Sequence, residues 1–210
     1  MGIETSSLLC SIAWWESGKV LLEYNVEQKN RHAQLLPDLA EKGFKYLGIE
    51  KSAVNFVAVA SGPGSFTGLR IGMAYAKGFC YALDRKLVTV SNFELMTASV
   101  INQKGPICAL LDAGRGKLYR AILSKKNNDK FHTDITTWPH LLEQMTKNMI
   151  IVKYDTLLIP EEIKIRIPIL NVRVTGANVC LIGSLKSSFG FQENIDEIEP
   201  FYLQKFAGMA

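Results

Sequence analysis

The stretch from Val54 to Gly68 constrains the fold of this chain more than any other. Val54 to Ala60 is a short, nearly unbroken apolar run, as expected of a strand covered on both faces. It ends in Ser61-Gly62-Pro63-Gly64-Ser65-Phe66-Thr67-Gly68, and a helical pattern continues to about Leu83. A strand, a glycine-rich turn and a helix in that order place the segment inside an α/β layer architecture. Arg70 and Lys77 interrupt the helix, so it reads as a buried helix and not a membrane span.

The flanking patterns extend this reading. Leu8 to Trp15 and Val20 to Val26 form a hairpin about the turn Glu16-Ser17-Gly18-Lys19. Asn30 can cap a helix carrying Leu35, Leu36, Leu39, Tyr46 and Leu47, with Gly48 as its stop and Pro37 as a kink or fresh start. Leu87 to Val90 reads as a strand, and Ser91 or Asn92 caps a helix to about Ile101. The order is βββαβαβα around a mixed sheet. Lys104-Gly105-Pro106 marks a boundary, giving an N-terminal lobe over 1–105 and a smaller lobe over 106–210. In the second, Ile107 to Leu111 and Leu118 to Leu123 pair about Asp112 to Lys117, and Lys125 to Lys130 is a polar turn. Pro139 to Met145 is a short helix, Met149 to Val152 a strand and Ala177 to Lys186 a helix. This half starts like the first but is too short to repeat its whole plan.

Composition narrows the class. With 48% hydrophobic and 21% charged residues among 210, the chain is an ordinary globular protein; disorder, collagen and fibre are excluded. A net charge of +4 permits nucleic-acid contact without arguing for it. Cys10, Cys80, Cys108 and Cys180 lie far apart with no C-x-x-C pair, which with no secretory signal points to reduced thiols in a cytoplasm. Met1-Gly2-Ile3-Glu4-Thr5-Ser6 fits the loose myristoylation pattern, but no polybasic segment accompanies it, and these residues read as the first strand and its turn.

Chemistry is sparse. Gly62, Gly64, Ser65 and Thr67 stand where backbone N–H groups and a helix dipole could cradle an anion, yet neither a Walker A loop nor G-x-G-x-x-G is present. On the following helix Gly68, Gly72 and Ala76 line one ridge and Ala74, Gly78 and Ala82 another. Arg70, Lys77 and Asp84 form a thin polar stripe. Two small-residue ridges imply cover on two sides, one from the chain's own sheet and one from another chain. His32, His132 and His140 make no H-x-x-x-H pair, so no metal site is expected. Glu4 beside Thr5-Ser6 and Asp112 beside Gly114 resemble the phosphate-loop hairpins of actin-like ATPases. Glu4 is a methylene longer than the usual aspartate, however, and 113–117 is not a D-x-G-G-G-T loop.

Together these segments resemble the bacterial TsaB (YeaZ) family. The resemblance rests on Gly62-Pro63-Gly64-Ser65-Phe66-Thr67-Gly68-Leu69-Arg70-Ile71-Gly72 with Ala76-Lys77-Gly78, on Ile3-Glu4-Thr5-Ser6-Ser7, and on His32 before Leu36-Pro37. Asp112-Ala113-Gly114-Arg115-Gly116-Lys117-Leu118-Tyr119 and Glu199-Pro200-Phe201-Tyr202-Leu203 complete it. It implies an actin-like (ribonuclease H-like) α/β fold of two lobes with the second truncated. It implies a non-catalytic subunit with no cofactor, pairing with the catalytic TsaD and joined by the ATPase TsaE. That complex forms N6-threonylcarbamoyladenosine beside the anticodon of tRNAs reading A-starting codons. Pairing is implied through a four-helix bundle, with His32, Leu36 and Leu39 on the first helix and Gly68, Leu69, Gly72, Met73, Ala76 and Phe79 on the second. The isolated chain would form a homodimer through that surface and meet tRNA only through the complex. Two other readings stand beside it: an independent metallopeptidase-like or ATP-binding enzyme, and direct tRNA binding through Arg70, Lys77, Arg115 and Lys117.

Overall fold

The computed structural model describes residues 1–124, 131–146, 148–154, 156–188 and 194–203; the polar turn expected at 125–130 lies outside them. Two compact units emerge: one of Met1–Leu95 with Val174–Phe201, the other built on Met96–Arg173.

In the first unit, β1 (Gly2–Glu4), β2 (Leu9–Glu16), β3 (Lys19–Glu27), β4 (Phe56–Gly62) and β5 (Lys86–Ser91) make a sheet in the order β3-β2-β1-β4-β5. β1 runs antiparallel to β2 and parallel to β4. The hairpin closes with Glu16 opposite Lys19 across Ser17 and Gly18, both at positive φ, the twist that a two-residue turn demands. α1 (His32–Leu47), α2 (Phe66–Leu83) and α3 (Asn92–Thr97) complete the expected βββαβαβα order. Asn30 does not cap α1; it takes a left-handed φ of 58°, and Arg31 stands at the N-cap with no side-chain hydrogen bond. Pro37 does not break the helix, which runs through it with the ring exposed to solvent. Gly48 ends α1 in the left-handed conformation, as expected.

Every residue of β4 from Val57 to Ala60 is buried because both faces of the sheet are covered. α1 and α2 lie on one side; α6 (Gly176–Ser187) contacts β1, β2, β4 and β5. This corrects the boundary at 105/106: the helix assigned to the second lobe packs on the first lobe's sheet. α6 sits so close that a Cβ on Gly176 would come within 2.8 Å of the Ala13 nitrogen and 2.9 Å of the Gly2 oxygen. Thr175 and Asn178 form its capping box, and Glu23 of β3 accepts a hydrogen bond from the Ala177 N–H at 2.7 Å. Ile3, Ile12, Trp14, Leu36, Phe44 and Val57 are among the core residues of this unit.

The second unit contains β6 (Ile107–Gly114), β7 (Lys117–Leu123), β8 (Phe131–Thr137), β9 (Ile150–Lys153) and β10 (Ile169–Asn171), in the order β10-β9-β6-β7-β8. The sheet plan of the first unit therefore does recur: an antiparallel meander of three strands, then two parallel additions. What shrinks is the helical cover. α4 (Trp138–Gln144) and α5 (Glu161–Lys164) stand where α1 and α2 stand in the first unit. Arg120, buried on β7, is held by Asp134 and by Gln144 Oε1 at 2.5 Å.

Candidate functional site

The turn between β4 and α2 is packed against the turn that follows β1. The chain passes a cis Gly62–Pro63 peptide with Gly62 at φ 106°, a conformation that suits glycine. A Cβ on Gly62 would lie 3.0 Å from the Phe201 oxygen, and one on Gly64 2.7 Å from the Ser6 oxygen. Three of the amide N–H groups around this turn have internal partners. Gly62 N–H donates to Asn92 Oδ1 at 3.1 Å, Ser65 N–H to the Ser6 carbonyl at 2.7 Å, and Gly68 N–H to Ser65 Oγ at 3.2 Å. Ser65 is thus the N-cap of α2, and Thr67 is exposed. Among the residues predicted to hold an anion, the structure finds a turn fastened to its neighbours.

Beneath it lies Glu4, with no exposed surface. Its Oε1 accepts from the Ser6 N–H at 2.7 Å and the Ser6 hydroxyl at 2.6 Å, whereas Oε2 takes no hydrogen bond among the described residues. Burial pushes the carboxyl up to about 7, with the hydrogen bonds from Ser6 and the Ser7 amide pulling the other way. Asp112 in the second unit differs: it is exposed and accepts from the Gly114 N–H at 2.8 Å. Among the described residues no three His, Cys, Asp or Glu side chains come together as a metal site would require.

α2 shows four distinct sides. Its inner side, Gly68, Leu69, Gly72, Met73, Ala76, Phe79 and Cys80, is buried in the unit's own fold. A Cβ on Gly68 or Gly72 would strike Thr5, so these glycines exist to let the helix lie on the end of β1. One flank meets α1, where Phe79 stacks on Phe44 at 5.9 Å between ring centroids. The opposite flank is closed by residues 194–201. Lys77 Nζ donates to the carbonyls of Asp196 and Ile198, both at 3.0 Å, and Phe201 N–H donates to Ser61 O at 2.7 Å. The outer side, Thr67, Arg70, Ala74, Gly78, Tyr81 and Ala82, is exposed. Tyr81 is 79% exposed, and on α1 Tyr46 is 74% exposed.

This corrects the expected partner face. His32, Leu36, Leu39, Gly68, Leu69, Gly72, Met73, Ala76 and Phe79 are all buried within the chain, because the sheet has first claim on the most apolar side of each helix. Of the two small-residue ridges, Gly68-Gly72-Ala76 is spent on the sheet and Ala74-Gly78-Ala82 is open. Sequence reasoning also missed that Lys77 belongs to an internal contact. Residues 119 and 121 positions away receive it, which helix periodicity cannot show.

Comparison with known proteins agrees with this architecture. Residues 19–176 match the model of the family described as TsaD, tRNA N6-adenosine threonylcarbamoyltransferase. The chain is similar to the tRNA threonylcarbamoyladenosine biosynthesis protein TsaB of Bacillus subtilis, at 27% identity over 75% of this chain and 72% of that protein. It is also similar to TsaB of Escherichia coli, at 28% identity over 65% of this chain and 59% of the relative. The match to Haemophilus influenzae TsaB covers 57% of this chain and 51% of the relative, so the chain aligns to little more than half the length of these last two. A crystal structure of a Pseudomonas aeruginosa protein with similarity to the peptidase YEAZ matches with a TM-score of 0.78 at 19% identity, covering 96% of this chain and 97% of that one. YeaZ from the same organism matches with a TM-score of 0.75 at 19% identity over the same shares. At that identity the two structures speak for the fold alone, the two mixed sheets with their helices.

Proposed function

As this chain belongs to the tRNA N6-adenosine threonylcarbamoyltransferase family, within its TsaB (YeaZ) group, we propose that it acts in tRNA threonylcarbamoyladenosine biosynthesis as a non-catalytic scaffold subunit. Its partner is a TsaD-type catalytic subunit, joined by TsaE, and tRNA is met through that complex in the cytoplasm. Without the partner, the same surface pairs two copies of the chain.

The observation that carries this reading is the outer side of α2. Three sides of the helix are covered within the first unit, and the fourth presents Ala74, Gly78 and Ala82 in a row with Tyr81 beside them. Glycine inside a helix costs about 1 kcal/mol relative to alanine. Gly78 gives nothing back within the chain, since a Cβ there would meet no atom within 4 Å. A helix surface flattened in this way suits close approach by a helix of another subunit.

The test is co-purification with TsaD. Ala74→Arg and Gly78→Arg each abolish the pairing and the tRNA modification reconstituted from purified subunits, with unfolding of the isolated chain unchanged. Gly72→Arg, in contrast, unfolds the monomer. Undiminished pairing by both outer-side variants sinks the proposal.

A further inference from the structure

Among the described residues Glu4 is the one buried carboxyl, the docking reading leaves it without a use, and its surroundings give it one. Through Ser6 it is tied to three separate segments. The Ser6 hydroxyl donates to Glu4 and accepts from Asn92 Nδ2 at the start of α3; Asn92 Oδ1 in turn accepts from Gly62 N–H. The Ser6 carbonyl accepts from Ser65 N–H, and Thr5 Oγ1 donates to the Gly68 carbonyl at 2.8 Å in the first turn of α2. The turn at residues 4–7 is thus the fastening that holds the β4–α2 turn.

Among the described residues no cation offsets a charge on Glu4. The segments fastened to this turn contribute Gly62 of β4, Gly68 and Gly72 of α2 and Asn92 of α3, none of which titrates, and Ser11 lies opposite Glu4 on β2. On β2 the titratable neighbour is Cys10, whose thiol is pushed up to about 12 by burial and by Glu4, and so stays neutral. A charged Glu4 gains full solvation by leaving its place, and the turn moves with it.

We propose that Glu4 is a proton-controlled clasp: protonated, it keeps the 4–7 turn fastened under the Gly62–Gly68 turn; ionised, it favours release of that turn and of the first turn of α2. The clasp stands on these contacts and does not depend on the docking reading.

The direction follows from linkage. A carboxyl at about 7 when buried and 4.5 when freed makes opening easier as pH rises between those values. Opening is rarest below the lower value and reaches a plateau above the higher one. Amide hydrogen exchange of Gly62, Ser65 and Gly68, corrected for intrinsic pH dependence, reads this. Protection falls on the order of a hundredfold between about pH 5 and 7.5 and then levels off. Glu4→Gln removes the dependence. Should that variant not fold, carboxyl carbon NMR on the wild-type chain decides: Glu4 titrates near neutrality and the three loop amides shift with the same midpoint. A Glu4 midpoint in the ordinary glutamate range, loop amides that ignore it, or an unaltered slope in Glu4→Gln overturns the clasp.

Discussion

Two glycine-to-alanine substitutions separate intrinsic helix preference from tertiary contact. Gly43 lies in α1 and Gly78 in α2, both in helix interiors, so alanine adds about 1 kcal/mol of helix stability at either site if nothing else changes. At Gly78 nothing else does, because the new methyl meets no atom within 4 Å. At Gly43 the methyl lands on the benzo edge of Trp14. Trp14 is 2% exposed and wedged edge-on against Tyr24 and Phe44, with ring centroids 6.4 Å and 5.4 Å away, so it has nowhere to retreat. Overpacking of that kind costs about 1–3 kcal/mol or more, which cancels or reverses the gain. Thermal unfolding of the isolated chain, followed by tryptophan fluorescence, is the assay. Gly78→Ala raises the midpoint by about 2–4 °C and Gly43→Ala lowers it. Equal gains at both sites refute the wedge at Trp14, and a loss at Gly78 refutes an open outer ridge. The pairing assay adds a second readout, since Gly78→Ala should bind TsaD less well despite its greater stability.

Removing the Lys77 ammonium with Lys77→Met frees two backbone carbonyls from a charged donor. A loss of about 1–2 kcal/mol is expected by urea unfolding, with residues 194–201 becoming the first protease-sensitive site; a chain as stable and as resistant as wild type would mean that Lys77 holds nothing. All four cysteines are buried, and burial pushes Cys10 and Cys108 up to about 12 and Cys80 and Cys180 up to about 11. A thiol reagent at mildly alkaline pH should leave the native chain unlabelled and modify all four in denaturant. Fast reaction of any one in the native chain contradicts the packing described.

The amino-acid sequence by itself determined the order of elements in the first unit. The period-two hairpin, the unbroken β4 run, the glycine turn and the helix stop at Gly48 are local signals, set by backbone sterics and by which residues alternate in polarity. It also determined that α2 has two small-residue ridges. Tertiary structure decided which ridge is spent. Gly68 and Gly72 face Thr5 and Gly78 faces water because β1, 60 or more positions away, lies beneath one side of the helix. The same holds for α6, whose pattern marks a helix but not the sheet it covers, and for Lys77, whose acceptors come from the far end of the chain. Glu4 shows the limit most plainly: the residues that follow it in sequence are ordinary small polar ones, and only closure of β2, β4 and α2 around it removes the water that would keep its charge.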